Sequence, residues 1–199
     1  MEAAPRLARS LKRRKNIPGV LVNCAGVLEQ GPFVDMRAAN HQAMIDLNIS
    51  ALTAMLSHLL PIMVARGSGR VLNVASIAAF QPVPALATYA ASKAYVLSLT
   101  ESLSEELRDS GVSVTALCPG ITATQMLSSA TQANQQLNKL PDFLIGKVDD
   151  VARQGFEACM AGDAICVPGL INRTAMLASR GTPKWLLRRV GGLLSRATS

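Results

Sequence analysis

Arg70-Val-Leu-Asn-Val-Ala-Ser76 followed by Tyr89-Ala-Ala-Ser-Lys93 decides the fold. The first stretch is a short run of β-forming apolar residues. The second opens a long segment with helical spacing, predicted from about Ala85 to Asp109 and closed by Gly111. Three more β-rich runs lie around this pair: Val20 to Cys24, Val112 to Cys118 and Ala164 to Val167. Each is separated from the next by a segment long enough for a helix. That alternation predicts parallel strands joined by crossover helices, hence an α/β chain. The runs are apolar on both faces, as strands covered by helices on both sides must be.

The segment before Arg70 predicts another long helix, capped by Asp35 and running to about Ala65. Ile45, Ile49, Leu52, Leu56, Leu59 and Met63 recur on it at helical spacing, Pro61 should kink its last turns, and Gly67-Ser-Gly69 ends it. In the helix after Tyr89, Val96, Leu103 and Leu107 form one apolar set with the tyrosine. Ala90, Ala94, Leu97 and Thr100 lie beside it, which predicts burial on more than one side and a subunit contact. Residues 121–147 are polar and small in composition and read as a mobile substrate lobe above the strand ends. Asp149 to Ala161 reads as a further helix, and 170–199 as a basic, apolar tail around Trp185. With no repeat and no linker, residues 1–199 read as one domain.

The net charge of +7 gathers at the two ends, in Arg6, Arg9, Lys12, Arg13, Arg14 and Lys15 and in Arg180, Lys184, Arg188, Arg189 and Arg196. A near-neutral middle argues against a nucleic-acid-binding face. The basic start reads as the solvent face of a helix over residues 3–15. The basic tail offers a membrane-surface contact as an alternative to packing at a subunit contact. Cys24, Cys118, Cys159 and Cys166 have no metal-like spacing and read as reduced, buried packing residues. That usage fits the cytoplasm. Ala51 to Ala65, the longest apolar helical run, contains His58 and Pro61 and is too short to span a bilayer. His41 and His58 read as structural histidines, and no metal site is expected.

Residues four apart share a helix face, so Tyr89 and Lys93 can point into one pocket, and Ser76 at a strand end can join them. A phenol, an ammonium and a hydroxyl suit carbonyl reduction: one donates a proton, one lowers the donor's pKa, one holds the substrate oxygen.

With these landmarks the chain resembles the short-chain dehydrogenase/reductase family. Asn23-Cys-Ala-Gly26 is similar to the family's Asn-Asn-Ala-Gly, with Cys24 in place of the second Asn. Asn48, Ser76, Tyr89-x-x-x-Lys93 and Pro119-Gly120 with Thr122 follow in the family's order, and the resemblance covers roughly residues 17–170. It implies a Rossmann-like doubly wound sheet and hydride transfer between NADP or NAD and a secondary alcohol or ketone. It assigns catalysis to Ser76, Tyr89, Lys93 and Asn48, the last through its backbone carbonyl and a relay water. It assigns cofactor contacts to Asn23, Ala25, Gly26, Tyr89, Lys93, Pro119, Gly120 and Thr122. Met126, Leu127, Leu137, Leu140 and Phe143 favour a small apolar carbonyl or alcohol substrate. The two long helices suggest a homo-oligomer.

The family opens with a strand, a Gly-rich Thr-Gly-x-x-x-Gly-x-Gly loop and a helix that hold the cofactor's pyrophosphate. Asn23 stands too near Met1 for the two βα units that normally precede it, at ~30 residues per βαβ unit. Gly67-x-Gly69 follows a helix and precedes a strand, the wrong order for this loop. The expectation is therefore a partial sheet, lacking its first strands and Gly-rich loop, with Val20 to Asn23 as an exposed apolar edge. Such a chain is either a fragment of a reductase or a catalytically idle dimerisation or binding module.

Overall fold

The computed structural model describes residues 3–14, 16–122, 145–170, 172–174 and 176. The apolar runs become four strands, β1 (Val20–Asn23), β2 (Gly69–Val74), β3 (Val112–Leu117) and β4 (Ile165–Cys166). They pair in parallel in the order β1-β2-β3-β4, so the chain adds each strand beside the one before it. The helices are α1 (Ala3–Arg13), α2 (Ala38–Ile45), α3 (Leu52–Arg66), α4 (Ala87–Glu106) and α5 (Val148–Ala161).

Alternation along the strands separates two cores. Val71, Val112, Val114, Ala116 and Cys118 pack with Leu52, Leu56, Leu59 and Met63 of α3 and with Val96 and Leu97 of α4. Leu72 and Leu117 face the other way and pack on Ala158 and Cys159 of α5. Helices therefore lie on both faces, as a doubly wound sheet requires. α5 packs against β2, β3 and β4. On β1, Leu21 is buried while Val20 and Val22 are exposed, Val22 at 50%. Among the described residues β1 pairs with β2 alone, so the apolar edge foreseen in the sequence is present.

The first long helix differs from its expected form. Asp35 does not cap it but closes a separate 3-10 turn, Phe33–Asp35, and the extended Arg37 precedes the first helical residue, Ala38. Helix then continues without a break from Ala38 to Arg66, long and apolar enough to cross a membrane by length and composition. It packs in the core through Leu52, Leu56, Leu59, Leu60 and Met63. Within it, Asp46–Ala51 is a π turn, a feature that clusters at functional sites. Gly67 ends the helix in the left-handed region at φ 73°.

α4 is shorter than expected, because Ala85 stands outside it at φ 62° and residues 107–111 form turns. Both apolar sets predicted on α4 face the chain's own core: Tyr89, Ala90, Val96, Leu97 and Thr100 are buried, and Ala94, Leu103 and Leu107 half-buried. Its exposed face carries Ala91, Tyr95, Ser98 and Ser102 instead. The basic residues of α1 are exposed, as read, and Ala4 is buried. Most of the lobe at 121–147, including its five apolar residues, and most of the tail at 170–199 lie outside the described residues.

Candidate active site

Parallel strands end on the same side, and ligands of open α/β sheets bind there. Backbone bonds extend the ladder past the strands: Ala75 N–H donates to Leu117 O at 2.7 Å, and Ile77 N–H to Pro119 O at 2.9 Å. This brings Asn23, Ser76 and Pro119 to one end of the sheet. Ser76 has an extended backbone, and its hydroxyl accepts from Ala78 N–H at 3.2 Å, capping the turn Ile77–Phe80. α4 packs against that turn and presents Tyr89 and Lys93, both buried.

The Lys93 ammonium donates to Val74 O at 2.9 Å and lies 5.7 Å from the centre of the Tyr89 ring. Burial lowers Lys93 to about 8, while the thiols of Cys24 and Cys118 pull weakly the other way. Tyr89 moves upward, first because it is buried; the Ser76 hydroxyl, within hydrogen-bonding reach, draws it part of the way back. Burial therefore moves Tyr89 in the direction opposite to the lowering expected from the residue types, and only Ser76 counters it. A phenol held above its ordinary range keeps its proton at neutral pH.

Asn48 sits in the π turn and is buried. Its side chain is engaged by the segment after β1 and by α4. Oδ1 accepts from Val27 N–H at 2.9 Å, and Nδ2 donates to Val27 O at 2.9 Å and to Ser92 Oγ at 3.0 Å. Ser92 in turn donates to Tyr89 O at 2.7 Å. One amide therefore ties the Gly26-Val27 loop to the turn of α4 between Tyr89 and Lys93. Gly26 is closely packed: a Cβ there would lie 3.3 Å from Asn48 Oδ1 and 3.4 Å from Lys93 Nζ. Ala25 and Cys24 are exposed beside it. Exposure of Cys24 corrects the packing role expected of it. The other three cysteines are buried, and burial pushes Cys118 up to about 12.

Asn23 and Thr122, given to the cofactor by the resemblance, turn their side chains to the chain's own polar groups. Asn23 donates to Asn73 Oδ1 at 2.8 Å, its register partner on β2, and Asn73 donates to Thr100 Oγ1 at 2.9 Å. Thr122 Oγ1 donates to Gly120 O at 3.1 Å. Gly120 packs under Asn172, whose side-chain atoms would lie 2.5–2.8 Å from any Cβ there. The sequence reading missed Asn73, Thr100, Ser92 and Asn172 as supports. Only Asn73 carried a local signal, a polar residue inside Val71-Leu-Asn-Val74.

Among the described residues no group of three or more His, Cys, Asp or Glu could hold a metal. A family model described as short chain dehydrogenase matches residues 6–135. The chain belongs to the short-chain dehydrogenase family. Its curated relatives include the oxidoreductase UcpA of Escherichia coli K12, 37% identical over 65% of this chain and 51% of that protein. A 3-oxoacyl-[acyl-carrier-protein] reductase of Synechocystis is 34% identical over 67% of this chain and 53% of that protein. The chain thus spans about half the length of the curated short-chain dehydrogenases it matches. Among solved structures, a 7β-hydroxysteroid dehydrogenase superposes with TM-score 0.76 at 23% identity, covering 87% of this chain and 67% of that one, a likeness of fold. An Agrobacterium tumefaciens protein crystallised with NADP gives TM-score 0.66 at 28% identity over 75% of this chain and 65% of that one. Both likenesses agree with a Rossmann-like parallel sheet.

Proposed function

We propose that this chain carries the catalytic half of a nicotinamide-dependent oxidoreductase that interconverts a ketone and a secondary alcohol. One observation carries the reading: Ser76, Tyr89 and Lys93 converge at the carboxyl ends of the strands, with the Lys93 ammonium held between Gly26 and Val74 O. The residues fit the nicotinamide-ribose half of a cofactor. The Gly26 backbone lies against the Lys93 ammonium, which offers a cation there, and Ala25, Gly120 and Thr122 border the same end. A bound nicotinamide would supply or accept the hydride there. NADP or NAD both suit these residues, and the NADP bound by the 28%-identical relative makes NADPH the first probe.

In the reducing direction the Ser76 hydroxyl holds the carbonyl oxygen, and Tyr89 gives its phenolic proton to that oxygen as it gains negative charge. The tyrosinate left behind is stabilised by Lys93, which is mostly protonated at neutral pH with its pKa near 8. The Asn48 backbone carbonyl, offered by the π turn, can hold a water that returns the proton through Lys93. A small apolar carbonyl compound is the substrate class we favour. We place the protein in the cytoplasm and assign it no nucleic-acid partner. We also propose a homo-oligomer formed through the long helices, since only 33% of the most apolar stretch of Ala38–Arg66 is buried within the chain.

The test is a fluorescence titration of the purified chain with NADPH and then NADH, followed by assay against alicyclic and aliphatic ketones. Tyr89→Phe should lower kcat by about 10²–10⁴. A folded chain that binds neither nucleotide would overturn the reductase reading and favour an idle dimerisation module built on the same helices.

A further inference from the structure

Two contacts join the loop after β1 to the residues just ahead of Tyr89. Gly31 N–H donates to Ala85 O at 2.9 Å. His41 Nδ1 lies 2.7 Å from Thr88 Oγ1, next to Tyr89 in the chain, and His41 Nε2 lies 3.3 Å from Phe33 O. A carbonyl only accepts, so Nε2 carries the hydrogen and Nδ1 accepts from the Thr88 hydroxyl. The imidazole also stacks on the Phe33 ring, with centres 4.2 Å apart and planes inclined by 31°. Ala85 is the one non-glycine residue with positive φ among the described residues. Strained backbone of this kind persists where the surroundings hold it, and here the loop does. The same clamp leaves Phe33 and Val34 exposed, at 61% and 88%, on the loop anchored beside the Tyr89 turn.

We infer that His41 is a positioning residue, resting on the reductase reading above: it fixes the Gly31–Asp35 loop to the first turn of α4, so that Phe33 and Val34 meet the apolar, non-reacting part of a carbonyl substrate bound at Tyr89. Both ring nitrogens and the ring face are used: Nδ1 on Thr88, Nε2 and the ring face on Phe33. Remote contacts of this kind orient the substrate for attack and set which substrates are accepted. His41 touches no reacting atom, and its effect passes through the loop.

The experiment compares the wild-type chain with His41→Ala, His41→Gln and Phe33→Ala. Glutamine can donate to Phe33 O and accept from Thr88 as the imidazole does. Steady-state kinetics with NADPH and an alicyclic ketone are read beside amide hydrogen exchange at Gly31. For His41→Ala we expect faster exchange at Gly31, unchanged exchange in β2 and β3, and a ketone KM raised about tenfold with kcat within about threefold and NADPH affinity unchanged. Glutamine should restore most of both, and Phe33→Ala should raise KM with Gly31 still largely protected. Unchanged exchange in His41→Ala would overturn the inference, as would equal losses in ketone and NADPH affinity or no rescue by glutamine. If the wild-type chain turns over no ketone, the reductase reading fails by itself. Gly31 exchange then decides whether the clamp exists.

Discussion

At the scale of single residues the site works against stability. Lys93 is buried, and its pKa near 8 against an ordinary 10.5 means that the folded state disfavours the charged form. The unfolded chain therefore binds more protons between those values, and stability rises with pH from about 8 upward. The cost is fully present below pH 8 and amounts to roughly 3 kcal/mol. Lys93→Met removes the charge but leaves Val74 O without its donor, which returns about 1 kcal/mol. The variant should be inactive yet about 2 kcal/mol more stable at pH 7, checked by urea denaturation. Its stability should also lose the rise between pH 8 and 10 that the wild-type chain shows. Tyr89, moved upward, has the opposite sign and acts only above pH 10. Equal wild-type and variant stability at pH 7 would mean that the ammonium is better solvated than this geometry allows. Tyr89, Lys93 and Ser76 were legible in the sequence because a helix fixes the spacing of the first two and a strand end offers the third. Asn73, Ser92 and His41 were not, since their partners stand 50, 44 and 47 residues away and no local pattern links them.

Element by element, the turns decide where the strands and helices stop. Gly111 lies at φ 77°, and a Cβ on it would sit 2.0 Å from Gly67 O, inside the carbonyl. Two helix ends thus touch through glycines: the one that closes α3 and the one that leads from α4 into β3. Gly111→Ala should cost about 2–4 kcal/mol, from both the positive φ and the backbone overlap, read as a lower denaturation midpoint with an unchanged m-value. A loss under about 0.5 kcal/mol would show that this junction relaxes freely. The four strands were readable from their β-branched runs, and both long helices from their apolar spacing. Their starts were not. Asp35 looks like a cap but is used in a 3-10 turn, and Ala85 looks like a first helical residue but is held outside by Gly31.

For the whole molecule, the exposed sides of Ala38–Arg66 and α4 are the surface to test. Thr53 Oγ1 and Tyr95 Oη lie 2.9 Å apart and join the two helices at that surface, where Ile45 and Tyr95 are also exposed. Charged side chains there should break a dimer. Ile45→Asp with Tyr95→Lys should shift the chain from dimer to monomer in light scattering at micromolar concentration, with its circular dichroism retained. A wild-type chain that runs as a monomer would remove the oligomer proposal and leave the site reading untouched. The α/β class was open to sequence because alternation of runs and helices is a property of the whole chain. Which helix faces turn inward was not, because an all-round apolar helix such as α4 does not say which side meets its own sheet. The strand order has one more consequence. Strands that neighbour in the sheet are consecutive in the chain, β1 to β4. At a ribosome adding about 5–20 residues per second, each new strand emerges to find its template already waiting. Among the described residues, β2 to β4 can therefore join the sheet in one direction during synthesis, like a zipper fed from one end, none of them threaded between two others.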